Sequence, residues 1–104
     1  MCINTGGEKV YPEEVEVAGR SHPGVLDCVA VGLPSERFGE TVCLVASRAS
    51  GSTVSESEVI DHIKGEIASY KAPRRVVFVD AVYRSPSGKA DYRWARVTAQ
   101  SATN

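Results

Sequence analysis

The chain lacks the residues that mark disulfide-rich, metal-binding and membrane-spanning proteins. It has three cysteines among 104 residues, no Cys-x-x-Cys pair, and two histidines without partners at zinc-ligand spacing. We therefore expect neither a disulfide framework nor a metal site. Cys28 and Cys43 lie within apolar runs, which predicts buried free thiols. No apolar run approaches the roughly 20 residues that a membrane-spanning helix needs.

An excess of charge of one sign is also missing. Lys and Arg number 12 against 13 Asp and Glu, for a net charge of −1. This balance does not favour a nucleic-acid partner or a polybasic membrane module. Residues 1–7 show no basic region followed by an apolar stretch, so we expect a cytoplasmic protein. What remains is the composition of one globular domain, with 42% hydrophobic and 24% charged residues.

Caps and helical spacing predict three helices. Pro12 and the glutamates that follow it favour a helix start. A capping box, either Thr53 with Glu56 or Ser55 with Glu58, begins the second helix. The predicted helices cover about 12–20, the segment from the capping box to Ser69, and 90–97, with a polar frayed tail over 98–104.

Three strands are predicted, over 25–33, 41–46 and 75–79. The first two are apolar on both alternating sides except at Asp27, which is typical of strands covered on both faces. Since a short polar turn separates them, they should pair antiparallel. The predicted fold class is α+β, a small sheet of about three to five strands with helices packed on it.

Two of the turn-rich segments lie beside predicted or possible strands. Gly6 and Gly7 permit a positive φ or the close approach of a ligand to the backbone. A tight turn before a strand explains the same pair. Residues 35–40, between the first two strands, are interpreted as a hairpin connection.

Two further segments display cations. Tyr70, Lys71 and Arg74 offer an aromatic surface and positive charge for a nucleotide, although a solvated helix end fits them equally. Lys89 follows the turn over 85–88 and is suited to a phosphate or carboxylate. Many exposed lysines have no such role, so the residue type alone leaves both interpretations open.

The order of the motifs is more specific than any one of them. They are Gly6-Gly7-Glu8 with Val10-Tyr11-Pro12, His22-Pro23-x-Val25, Ala30-Val31-Gly32-x-Pro34, Glu36-Arg37-Phe38-Gly39-Glu40, Tyr70-Lys71-x-Pro73 and Pro86-Ser87-Gly88-Lys89. This set, over about residues 3–96, resembles the C-terminal domain of the adenylate-forming (AMP-binding) enzymes. The acyl-CoA synthetase or fatty-acid–CoA ligase branch is the nearest.

The resemblance implies a two-step ligase. ATP and a carboxylic acid, which we expect to be a fatty acid, give an acyl-adenylate, and the thiol of CoA then displaces AMP. A small C-terminal domain closes over a larger N-terminal domain in a different orientation for each step. The larger domain would bind ATP with Mg²⁺, and its motifs are not in this sequence. We therefore expect residues 1–97 to be the lid domain, inactive alone, with 98–104 as a tail.

The family's residue roles transfer to matching positions. Lys89 matches the adenylation lysine, which reaches the α-phosphate and the acyl carboxylate. The family positions that line the CoA pantetheine channel correspond to Gly6, Gly7 and Glu8. The positions that contact the CoA nucleotide correspond to Tyr70, Lys71 and Arg74. The resemblance implies no metal ligand.

Two other functions stay open. An adenylation domain of the peptide-synthetase type would pass its acyl group to the phosphopantetheine of a carrier protein. A stand-alone α+β binding module would keep the fold without catalysis. The identity of the acid is not encoded here, because the family reads it with a pocket in the larger domain.

Overall fold

Five strands form one mixed sheet in the computed structural model, which describes residues 1–103. The elements are β1 (Ile3–Thr5), β2 (Glu8–Val10), α1 (Pro12–Arg20), β3 (Val25–Ser35), β4 (Gly39–Arg48), α2 (Glu56–Glu66), β5 (Arg75–Val79) and α3 (Tyr92–Thr103). A short 3-10 helix, Ser69–Lys71, lies between α2 and β5. The predicted α+β class and the small sheet are confirmed.

Strand β4 lies at the centre of the sheet. Along one edge it pairs antiparallel with β3, from Val25 opposite Arg48 to Ser35 opposite Gly39. Along the other edge it pairs in parallel with β5, and β1 joins it where Thr5 lies opposite Gly39. The antiparallel pairing is confirmed. The sequence did not reveal β1 and β2, because strands of three residues are too short to show an alternating pattern.

Both faces of the sheet are covered, as the apolar pattern predicted. Leu44 in β4 belongs to a core cluster that includes Val15 of α1 and Ile63 of α2. Its neighbour Val45 belongs to a second cluster, which includes Ala95 of α3. Successive side chains of a strand point to opposite faces, so α1 and α2 cover one face and α3 the other. The free thiols of Cys28 and Cys43 are buried in these cores, as predicted.

The capping box of α2 uses Ser55 and Glu58. The Glu58 N–H donates to Ser55 Oγ at 3.2 Å, and the Ser55 N–H donates to Glu58 Oε1 at 3.1 Å. Glu56, the alternative partner, instead accepts from the Val76 N–H at 2.8 Å and from Arg75 Nε at 3.0 Å. The first turn of α2 is therefore fastened to β5.

The last helix is longer than predicted. Helix α3 continues to Thr103, so the predicted end at residue 97 and the frayed tail were wrong for residues 98–103; Asn104 lies outside the described residues. Ala95 and Ala99 are completely buried four residues apart, and these small side chains let the helix pack closely on the sheet. The polar residues on either side of Ala99 hid this stripe from the composition-based prediction.

A buried carboxylate binds one backbone N–H on the free edge of β3. Glu16 of α1 is 4% exposed, and its Oε2 accepts from the Ala30 N–H and from the Tyr92 hydroxyl, both at 3.0 Å. Burial, followed by the charge of Glu16, raises the pKa of Tyr92. One carboxylate thus joins α1, the edge strand and the start of α3, and it satisfies one N–H of the free strand edge.

Glu16→Ala should lower the free energy of unfolding by about 2 kcal/mol or more, because a buried N–H and a hydroxyl lose their acceptor. Glu13→Ala, at an exposed position of the same helix, should cost less than about 1 kcal/mol. Urea denaturation of both variants measures the difference. Equal losses would contradict the role given to Glu16.

Glu56 should make the fold sensitive to acid. The hydrogen bond from the Val76 N–H, and then that from Arg75, lower the pKa of Glu56 below its ordinary value of 4.5. A lowered pKa in the folded state means that this stabilisation is complete above 4.5 and is lost as the pH falls below it. Glu56→Gln should therefore be less stable than the wild type at neutral pH.

The difference between the two proteins should shrink below pH 4.5 in thermal unfolding measured across pH. Glu13→Gln is the control, and its difference from the wild type should stay small at every pH. A difference between wild type and Glu56→Gln that does not depend on pH would contradict the role of the charge.

Candidate functional site

The β1–β2 hairpin presents an open backbone at its tip. Gly6 and Gly7 have φ values of +60° and +87°, in the left-handed region that side chains disfavour. The Gly6 N–H donates to the Phe38 carbonyl at 2.8 Å, which fastens the hairpin to the turn before β4. A Cβ built on Gly7 would meet no atom within 4 Å. The backbone at Gly7 is therefore accessible from outside.

A groove of about 600 Å³ lies between this hairpin and the segment that follows α2. Its lining residues include Gly6, Glu8, Phe38, Lys64, Tyr70 and Arg74. The fold thus brings four of the sequence-predicted site residues to one groove, although they are far apart in the chain. Gly7 and Lys71 are not among the lining residues.

Aromatic rings and cations meet in this groove. The Arg74 guanidinium carbon lies 4.6 Å from the centre of the Phe38 ring, and that of Arg37 lies 5.2 Å from it. Tyr70 is 50% exposed, so its ring is free to stack with a planar ligand. An exposed ring beside guanidinium groups can bind a base and its phosphates.

The Lys71 ammonium is held in an ion pair. Its Nζ lies 2.7 Å from one carboxylate oxygen of Glu14 and donates to the other at 3.1 Å. The hydrogen bond to Glu14 raises the pKa of Lys71. The pair connects the 3-10 helix to α1, so a ligand phosphate at Lys71 would compete with Glu14.

Lys89 lies on a separate hairpin turn. The Ser85 N–H donates to the Lys89 carbonyl at 2.9 Å, and the Gly88 N–H donates to the Ser85 carbonyl at 2.8 Å. Gly88 has a φ of +83°, which explains the glycine before the lysine. Lys89 itself is exposed, so its ammonium can reach an outside ligand.

The turn that bears Lys89 and the groove lie at opposite ends of the β3–β4 pair. The turn is held by Arg84, which binds Asp27 near the start of β3 with two contacts of 2.8 Å. The Gly6 hairpin is held at Phe38, just beyond Ser35 at the end of β3. Eight residue steps of a strand span about 26 Å. The Lys89 turn and the Gly6 hairpin are therefore anchored far apart along β3.

Sequence reasoning missed three residues at these sites. Phe38 was interpreted only as part of a hairpin turn, although an aromatic residue in an exposed turn was a usable signal. Asp27 was noticed as the one polar interruption of an apolar strand, and Arg84 was not singled out. Their ion pair joins residues that are distant in sequence, so no local pattern could predict it.

Two kinds of feature are absent from the described part of the chain. Over residues 1–103, no three His, Cys, Asp or Glu side chains are grouped so that they could hold a metal ion. Over the same residues, no helix has both the length and the apolar character required to cross a bilayer.

Known proteins share the sequence and the fold of this chain. Residues 14–89 match the family described as AMP-binding enzyme C-terminal domain. The chain is 54% identical over 96 residues to a 3-oxocholest-4-en-26-oate–CoA ligase of Rhodococcus rhodochrous, covering 92% of this chain and 17% of that protein. It is 52% identical over 96 residues to the medium-chain acyl-CoA ligase Mig of Mycobacterium avium, covering 92% of this chain and 18% of that protein.

A solved structure shares both fold and sequence with this chain. The fatty acyl CoA synthetase of Mycobacterium tuberculosis superimposes with a TM-score of 0.88 at 33% identity, covering 97% of this chain and 20% of that one. The chain thus spans less than a fifth of the length of the two curated relatives. Because the family match takes in most of α1, the whole β3–β4 pair and the turn up to Lys89, the chain belongs to the AMP-binding enzyme C-terminal domain family.

Proposed function

We propose that this chain is the lid domain of an ATP-dependent, AMP-forming acyl-CoA synthetase. The observation that carries the proposal is the separation of the Lys89 turn from the groove lined by Gly6, Tyr70 and Arg74. Two sites at opposite ends of one sheet suit a domain that presents each site in turn to a shared active centre. We assign the lid to residues 1–97, extended by the rest of α3 to Thr103.

Lys89 serves the first half-reaction, in which the acid is activated. A carboxylate oxygen attacks the α-phosphorus of ATP, and pyrophosphate leaves. Negative charge from both reactants meets at that point, so a positioned ammonium lowers the barrier by neutralising and aligning them. Exposure at the tip of a glycine turn gives Lys89 the reach for this task.

The groove serves the second half-reaction, in which the CoA thiol attacks the acyl carbonyl and AMP leaves. The open backbone at Gly7 admits the narrow pantetheine arm beside Gly6 and Glu8. Tyr70 stacks with the CoA adenine, and Arg74 binds its phosphates. Lys71 adds positive charge next to them when its pair with Glu14 opens.

The partner of this lid is the N-terminal domain of the same enzyme, which binds ATP with Mg²⁺ and holds the acid. The names of the two relatives favour a fatty or steroid carboxylic acid as the substrate. We place the enzyme in the cytoplasm, since the three cysteines of this chain are free thiols. The chain alone should form no adenylate, because it holds only one part of the active site.

Lys89→Ala in the full-length enzyme should slow ATP–pyrophosphate exchange by about 10²–10³, because the transition state loses a charge partner. Conversion of a pre-made acyl-adenylate to the thioester should continue at the wild-type rate. Arg96→Ala, which removes an exposed cation from α3, is the control and should leave both half-reactions intact. An equal fall of both half-reactions in Lys89→Ala would contradict this assignment.

Gly7→Ala should slow the thioester-forming step by about 10-fold or more, because its methyl group obstructs the pantetheine arm and displaces the thiol. Adenylation should persist. Gly51→Ala is a matched control, since Gly51 has a φ of +77° and equally open space around its Cβ position. Assays with free CoA and with a phosphopantetheinylated carrier protein identify the acceptor. If both variants slowed the thioester-forming step to a similar extent, backbone strain alone would explain the effect.

A further inference from the structure

We propose that Asp27 and Arg84 are positioning residues, which set the orientation of the Lys89 turn for adenylate formation. This inference rests on the proposed function of Lys89. Neither residue touches the reacting atoms; they act through the backbone next to the lysine.

The guanidinium of Arg84 binds two partners at once. Its Nε donates to Asp27 Oδ2 and its Nη2 donates to Asp27 Oδ1, each at 2.8 Å. Its Nη1 donates to the Gly88 carbonyl at 3.3 Å. That carbonyl belongs to the residue immediately before Lys89. One planar group therefore connects a strand carboxylate to the backbone that carries the lysine.

The Asp27 carboxylate is itself fixed to the sheet. It accepts from the Cys28 N–H at 2.9 Å, and Cys28 is fully buried in β3. Arg20 of α1 approaches it at 3.8 Å. The hydrogen bonds from Arg84 lower the pKa of Asp27, and those to Asp27 raise the pKa of Arg84. The pair is charged at neutral pH, and its carboxylate is anchored to the backbone of β3.

Movement of Arg84 would be passed directly to Lys89. Arg84 lies opposite Ala90 in an isolated antiparallel bridge, so the two residues form the base of the turn. The tip, from Pro86 to Lys89, is exposed and has no apolar anchor of its own. The orientation of the lysine therefore depends on what holds the base.

The fold does not need this ion pair to hold α3 in place. Glu16 already joins Tyr92, the first residue of α3, to the Ala30 N–H of β3. Ala95 and Ala99 bury the helix against the sheet. Loss of the Asp27–Arg84 pair should therefore free the turn while the domain stays folded, which separates positioning from general stability.

The test compares Arg84→Lys and Asp27→Asn with the wild type in the full-length enzyme. Both half-reactions and the thermal midpoint are measured for each protein. Lysine cannot make the bidentate contact and reach the Gly88 carbonyl together, and asparagine removes the charge but keeps the shape. We expect kcat of ATP–pyrophosphate exchange to fall about 10- to 100-fold, since a displacement of about 1 Å has effects of this size.

Three further readouts make the test specific. The thioester-forming step from pre-made adenylate should stay within about two-fold of the wild type, and the double variant should lose no more than the worse single variant. Arg20→Ala is the matched control, because Arg20 approaches the same carboxylate without contacting Gly88. It should leave adenylation within about two-fold of the wild type.

Lys89→Ala in the same assays separates this inference from the proposed function. If Lys89→Ala leaves adenylation intact, the proposed function fails. If Lys89→Ala abolishes adenylation while Arg84→Lys and Asp27→Asn retain it, the positioning inference alone is overturned. Equal loss of both half-reactions with a lowered thermal midpoint would also overturn it, because that pattern indicates a purely structural role.

Discussion

The antiparallel pairing of β3 with β4 is the interaction on which both candidate sites depend. At one end of this pair, Asp27 holds the turn that carries Lys89. At the other end, the Phe38 carbonyl holds the Gly6 hairpin. The Arg74 N–H donates to the Val42 carbonyl of β4 at 2.8 Å, so the groove also takes its position from this pair. Because the two strands are closely packed on both faces, they hold the two sites at a fixed separation.

The Lys89 turn and the groove keep their separation because both are anchored to the β3–β4 pair. Under the proposed function, a shared reaction centre would meet the two sites one after the other. Rotation of the whole domain would achieve this without rearranging its core. The charges fit such a division, since Lys89 is a single exposed cation whereas the groove combines the Tyr70 ring with Arg74.

The parts of the fold that the sequence predicted are those with long or chemically distinct patterns. Strands β3 and β4 show continuous apolar runs, and α2 begins with a recognisable capping box at Ser55. Hairpin β1–β2 was missed because each strand has three residues. The end of α3 was missed because its packing depends on two alanines, which the surrounding polar residues obscure.

The site residues show a similar division. The family resemblance predicted Gly6, Glu8, Tyr70, Arg74 and Lys89 as site residues, but only the fold reveals which of them share a groove. The contacts that position these residues join distant parts of the chain through single hydrogen bonds. No periodicity or spacing rule predicts such contacts, so only the three-dimensional structure shows them.

The central claim is that the two ends of the domain serve different half-reactions independently. A single-turnover experiment on the full-length enzyme carrying both Lys89→Ala and Gly7→Ala tests it most directly. With labelled ATP and then CoA, the formation and the consumption of the adenylate are followed in one time course. The two rate constants should fall by the factors measured for the respective single variants, because the sites do not interact. If either rate constant in the double variant departs from its single-variant factor by more than about three-fold, the two ends are coupled and the claim is contradicted.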